Sequence, residues 1–183
     1  MAVYVGFIRG INVGGRNLLK MEALRALCAS MGLQNAQTLL QSGNVVFRTK
    51  RSDAAKLTRD LEKGIRDAAG LDVRVMLRTP DELRKAIAAN PFAEHAERDP
   101  SHLLITFLAS EPTADARKAL LDACSVSPDA VHLAARELYA YYDQGMIDSK
   151  LAKVPIEKKL GVAGTARNWN TVTKLLQMAE ACK

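Results

Sequence analysis

An α+β fold is what the sequence predicts: two ferredoxin-like βαββα units with antiparallel sheets, packed together, plus a helical C-terminal tail. Three observations carry the prediction. Short apolar runs of strand length alternate with apolar stripes at helical spacing. The strand–helix–strand–strand order begins twice along the chain. Finally, 48% of the 183 residues are hydrophobic, enough for one sizeable core or two small ones packed together.

Val3 to Ile8 is a continuous apolar run, which predicts a buried strand, and a βαββαβ unit places its first strand in the interior of the sheet. A glycine-rich connector follows. Met21, Leu24, Leu27, Cys28 and Met31 share one helical face, and Gly32 ends that helix. Ala36 to Leu40 and Asn44 to Arg48 are predicted to pair as a hairpin around Ser42-Gly43. Ala54, Leu57, Leu61, Ile65 and Ala68 trace a second helix capped by Ser52 or Asp53, and Asp72 to Leu77 returns to strand. Thr79-Pro80-Asp81-Glu82 carries a capping box and a proline at the first helical position, so a helix starts there and stops before Asn90-Pro91.

The pattern then restarts. His102 to Ala109 reads as a strand, Pro112 to Cys124 as a helix, and Val131 to Ala134 and Leu138 to Tyr142 as two further strands. Lys150 to Leu160 is a helical tail broken at Pro155, and Val172, Leu175, Leu176 and Ala179 share one face of a last helix. The second half shows no obvious closing strand. The expected division is residues 1–78 and residues 79–183.

Cys28, Cys124 and Cys182 are odd in number and widely spaced, which points away from a disulfide framework or a zinc site and toward a reducing, cytoplasmic setting. The apolar start is interrupted by Arg9, too early for a signal peptide or a membrane span. A formal charge of +6 and a pI near 9.3 tilt toward anionic partners, although a solubilising surface explains the same excess.

Three polar, glycine-containing segments are candidates for chemistry. Arg9, Gly10, Asn12, Gly14, Gly15, Arg16 and Asn17 sit in the first strand-to-helix connector, where glycine amides and arginines suit phosphate. At least one of Gly14 and Gly15 is expected at positive φ. Arg16-Asn17 stand where a phosphate loop needs lysine and a Ser/Thr magnesium ligand, so this is no Walker motif. Gln41, Ser42, Gly43 and Asn44 form the hairpin turn, which reads as a polar rim or as ordinary turn chemistry. Gly164 to Thr171 precedes the last helix: Arg167, expected to be exposed, and Trp169 suit an anionic heterocycle, while Asn168 is a cap and Trp169 reads equally as core. His95, His102 and His132 lie far apart, with no carboxylate or cysteine expected at ligand or triad spacing, and are read as structural or surface residues.

RGINVGGRN at Arg9 to Asn17, QSGNVVF at Gln41 to Phe47 and GTARNWNTV at Gly164 to Val172 together resemble the bacterial domain of unknown function 1697 family, across nearly the whole chain. The resemblance implies that these are family-motif positions. It carries no activity with it, and Arg16 stands where the family has lysine, which keeps the charge but changes reach and hydration. The functional expectation is therefore a binding module whose three motifs converge on one cleft, with Arg9 or Arg16, Asn44 and Arg167 around a phosphate-bearing small molecule or RNA. A group-transfer enzyme using that cleft and a partner-interaction scaffold are the alternatives. No cofactor is indicated.

Overall fold

The computed structural model of the chain describes residues 1–125, 129–143, 145–147 and 149–182. It divides into two compact units: Met1–Lys85 with Thr173–Lys183, and Ala86–Val172.

The first unit contains β1 (Ala2–Ile8), α1 (Met21–Ser30), β2 (Gln34–Leu39), β3 (Asn44–Thr49), α2 (Ala54–Ala69) and β4 (Val75–Arg78). The strands form an antiparallel sheet of order β2-β3-β1-β4, so β1 is interior, as its apolar run requires. Side chains alternate across the sheet. Tyr4, Ile8, Val45, Phe47, Val75 and Leu77 meet Leu24 and Cys28 of α1 and Leu57, Leu61 and Ile65 of α2 in one core. The other face, with Val5, Phe7, Val46 and Met76, is buried as well, and so is Arg78, whose guanidinium donates to the Leu77 carbonyl at 2.9 Å. Asp53 caps α2 by accepting from the Lys56 amide at 2.8 Å, and Gly70 closes it at φ 67°.

α3 (Pro80–Ala88) starts at the expected capping box. The Glu82 amide donates to Thr79 Oγ1 at 3.2 Å and the Thr79 amide to Glu82 Oε2 at 2.8 Å, so both orphan donors are satisfied reciprocally.

The second unit holds α4 (Ala93–Arg98), β5 (Leu103–Leu108), α5 (Ala114–Cys124), β6 (Ala130–Ala134), β7 (Glu137–Tyr141), a 3-10 turn at Leu151–Lys153, α6 (Ile156–Leu160) and β8 (Gly164–Asn168). Its antiparallel sheet has the order β6-β7-β5-β8. Leu108, Leu120, Leu133, Leu138, Leu151 and Leu160 form the core on its helical side. Tyr139 is buried, with its hydroxyl donating to the Ala86 carbonyl at 2.7 Å. α7 (Trp169–Ala181) starts in this unit and ends in the first.

The second sheet does have a closing strand, against the sequence expectation. β8 pairs with β5 from Leu108↔Gly164 to Leu104↔Asn168. Its composition, GTARN, hid it: an edge strand that buries only part of itself needs few apolar residues. α4 was also not anticipated, because none of its six residues is buried and no apolar stripe marks it.

The two sheets repeat one another below the level of strand order. The last residue of each central strand donates to a hairpin-turn carbonyl: Ile8 to Gly43 at 2.8 Å, Leu108 to Arg136 at 2.9 Å. The next residue donates just ahead of the fourth strand: Arg9 to Arg74 and Ala109 to Ala163, both at 2.9 Å. The first amide of each fourth strand is held by a helix carboxylate, Val75 by Glu62 and Gly164 by Glu157, both at 3.0 Å. No described helix is long and apolar enough to cross a membrane.

Candidate functional site

The connector between β1 and α1 folds on itself as a minimal hairpin. Val13 and Arg16 form an isolated antiparallel bridge, with the Arg16 amide donating to the Val13 carbonyl at 3.0 Å. Gly14 and Gly15 occupy the two central positions at φ 56° and 75°. Two successive positive φ values define a primed turn, which side chains resist. Nothing lies within 4 Å of where a Cβ would stand on either, so backbone conformation, not crowding, requires glycine here.

Asn12 anchors this hairpin to the rest of the unit. Its Nδ2 donates to the Leu19 carbonyl at 2.9 Å and the Gln41 carbonyl at 2.7 Å, while its Oδ1 accepts from the Leu19 amide at 2.8 Å. One side chain thus ties together the two ends of the connector and the β2–β3 turn. Asn17 adds a bond from Nδ2 to the Gly10 carbonyl at 2.9 Å. Both asparagines have positive φ, which Asn tolerates better than most residues.

The β2–β3 turn is packed beneath the connector. A Cβ on Gly43 would stand 2.8 Å from Ile11 Cδ1 and 3.0 Å from Ile8 Cβ, so glycine is required for close approach as well as for its φ of 76°. Asn44 is fully buried; its Nδ2 donates to the Leu39 carbonyl and to Ser42 Oγ, each at 3.0 Å. The first two motifs therefore meet in space, but in a division of labour. Asn12, Gly43 and Asn44 build the scaffold, and Arg9, Gly14, Gly15, Arg16, Gln41 and Ser42 stay exposed on it. Among the described residues the Gly14 and Gly15 amides have no hydrogen-bond partner and Arg16 makes no ion pair. An open concavity of about 410 Å³ lies at the Gln41 end of the β2–β3 turn, lined by Lys20, Glu22, Arg25, Thr38 and Gln41 among others. Arg25 Nη1 donates to Thr38 Oγ1 there at 2.6 Å.

The third motif belongs to the second unit and is strand before it is helix. Gly164 is the close-packing residue of β8: its Cβ would fall 2.9 Å from both Leu108 Cδ2 and Thr106 Cγ2, and its amide is taken by the Glu157 carboxylate. That amide cannot serve an anion. Arg167, expected to be exposed, is only 9% exposed, and burial pushes its guanidinium down to about 10. Its Nη1 donates to Thr165 Oγ1 and to the Ala166 carbonyl, each at 2.7 Å. Asn168 is the cap of α7, accepting from the Thr171 amide at 3.0 Å, and Trp169 is half-buried.

One arrangement went unrecognised in the sequence. His102 Nδ1 lies 2.6 Å from Asp99 Oδ2, which also receives the Tyr141 hydroxyl at 3.4 Å, while Ser101 Oγ donates to Asp99 Oδ1 at 2.8 Å. The Ser101 hydroxyl first, then His102, hold the Asp99 carboxyl below the usual carboxylate range against partial desolvation. The Asp-x-x-His spacing was the available signal. Cys28, Cys124 and Cys182 are all free and buried, and burial pushes the Cys28 thiol up to about 11, away from nucleophilic thiolate. Among the described residues no group of three or more His, Cys, Asp and Glu could hold a metal ion.

Comparison with known proteins gives a family and a fold. The model of the family described as "Protein of unknown function (DUF1697)" matches residues 1–139, a span that contains the first two motifs and ends before the third. No curated protein matches. Among solved structures, the chain is similar to the conserved bacterial protein SP0830 from Streptococcus pneumoniae, with a TM-score of 0.77, 22% identity, and 97% of this chain and 98% of that one covered. That likeness shows the shared fold.

Proposed function

This chain belongs to the DUF1697 family of proteins of unknown function, and on that footing we propose that it is a cytoplasmic binding protein for a phosphate-bearing ligand, a nucleotide or an RNA end. The observation that carries the reading is the Gly14-Gly15 turn: two unpartnered amides beside a guanidinium that makes no ion pair among the described residues. Successive exposed amides in a glycine turn form an anion-binding concavity, and a neighbouring arginine adds charge-assisted bonds in a fork that fits phosphate oxygens. Lys20, the last residue of the connector, and Arg25 line one concavity with Gln41, and their two positive charges against the single Glu22 carboxylate there favour an anion. Asn12 holds the loop to the hairpin, so the turn is pre-ordered and less entropy is lost on binding.

Thermal unfolding with inorganic pyrophosphate tests this, with sulfate at matched ionic strength as the control. A ligand at a hundred times its dissociation constant stabilises by about 2.7 kcal/mol. Arg16→Ala is expected to unfold at the wild-type temperature without ligand and to lose the pyrophosphate shift, because Arg16 is exposed and supports no packing. Arg167→Ala in the same assay reads the third motif's own contribution. Oligoribonucleotides with and without a 5′-phosphate then separate an RNA end from a free nucleotide.

A partner-interaction scaffold is the second reading, favoured by three exposed aliphatic residues: Val13, Leu18 and Leu40, each at least 63% exposed. Each is the chain neighbour of a residue tied at the Asn12 side chain, so they surround one point of the surface. A wild-type protein with no pyrophosphate shift would put this reading first.

A further inference from the structure

α4 is a helix with two unlike sides. His95 on one side stacks on Tyr141 with ring centroids 3.9 Å apart and planes 16° apart, and Phe92 stacks on His95 at 6.2 Å. This stack ties the helix to β7. Ala93, Ala96 and Glu97, three and four residues apart, share the other side. They line an open concavity of about 270 Å³ with Ile87, Asn90 and the half-buried Trp169. Both alanines are small, so they take up little of the space beside the indole. No residue of α4 is buried, so the helix leaves this hollow, part apolar and part polar, open.

The polar groups of the hollow select among planar ligands. Asn90 Oδ1 is already engaged, accepting from the Phe92 amide at 3.0 Å, and its NH2 has no partner among the described residues. Glu97 makes no ion pair among them either, and its carboxylate can only accept. The complementary edge therefore offers adjacent N–H donors to the carboxylate and a carbonyl to the amide NH2. Guanine has that edge, with N1–H and N2–H2 beside O6; adenine offers a single amino donor and no carbonyl. Stacking on the indole supplies affinity for any base, and the edge supplies the choice.

We propose that the hollow formed by Ala93, Ala96, Asn90, Glu97 and Trp169 binds a guanine-type base, stacked on Trp169 and read by Glu97 and Asn90. The site lies within the second unit and is independent of the phosphate reading of the first.

Trp169 is the sole tryptophan of the chain, so intrinsic fluorescence reports this hollow directly. Guanosine, which carries no phosphate, is titrated into the full chain. Saturable quenching is expected, with adenosine weaker by about tenfold or more, as the loss of a bidentate contact predicts. Glu97→Gln should weaken guanosine by a similar factor and remove most of the discrimination. Ala93→Leu, at an exposed helical position, should keep the unfolding temperature and abolish the quenching by filling the hollow. Equal quenching by the two nucleosides, no saturable quenching by guanosine, or quenching by methylguanidinium instead would each overturn the proposal. Pyrophosphate binding lost in Arg16→Ala but leaving guanosine quenching intact would separate the two sites.

Discussion

The two sheets share strand order, register logic and three matched hydrogen bonds, yet their first connectors could hardly differ more. After β1 the chain spends residues 9–20 on an exposed glycine hairpin pinned by Asn12; after β5 it passes through residues 109–113 straight into α5, where Thr113 accepts from the Ala116 amide at 3.3 Å. The backbone framework is held in common and the elaboration is confined to one loop. Binding chemistry concentrates in loops set on a rigid framework, so the elaborated connector is where a ligand is sought. The hairpin turns differ too. The first needs Gly43 under Ile11, whereas the second turns through Ala135 at φ 47° and Arg136, with no glycine.

The largest expected effect strikes that contrast. Gly43→Val adds a side chain where Ile11 stands 2.8 Å away and imposes a left-handed conformation on a branched residue. Overpacking and αL strain together cost about 2–5 kcal/mol, read as a lowered urea midpoint. An unchanged midpoint would mean that the connector can lift off the turn, and the pinned-loop account would go with it.

A sharper test concerns the matched carboxylates. Glu62→Gln and Glu157→Gln each replace a charged acceptor by a neutral one at the first amide of a fourth strand. Each is expected to cost about 1 kcal/mol, the difference between charged and neutral hydrogen bonds. Losses that differ by more than that amount would show the likeness of the two sheets to be geometric and not energetic. The smallest effect runs the other way: Ala135→Gly relieves a left-handed alanine and should stabilise by about 0.5–1 kcal/mol, net of the entropy that glycine loses. Destabilisation there would mean that Ala135 makes a contact its Cβ alone supplies.

What the sequence disclosed follows the range of the interaction involved. The Thr79 capping box and the positive φ of Gly14 and Gly15 depend on neighbours within a few residues, and the apolar run of β1 carries the mark of its interior place within the strand itself, so all three were legible. Asn12 reaches Gln41 across 29 positions, and Gly43 is constrained by Ile11 across the fold, so their structural duties were invisible from local pattern. β8 was concealed by polar residues that β5 accepts at its edge, and its Gly164 stood in a polar motif read as a helix start while it serves strand packing. The histidines misled through distance in sequence: His102 needed only Asp99, three residues earlier.

The first unit draws its last segment, Thr173–Lys183, from beyond the second, while the second is the unbroken stretch Ala86–Val172. During vectorial synthesis the first sheet can leave the ribosome long before the segment that completes its unit. At translation rates of about 5–20 residues per second, the intervening stretch takes roughly 4–17 s to make. Through that interval the nascent first unit lacks its final helical segment, and the second unit, started later, is the one that can finish first.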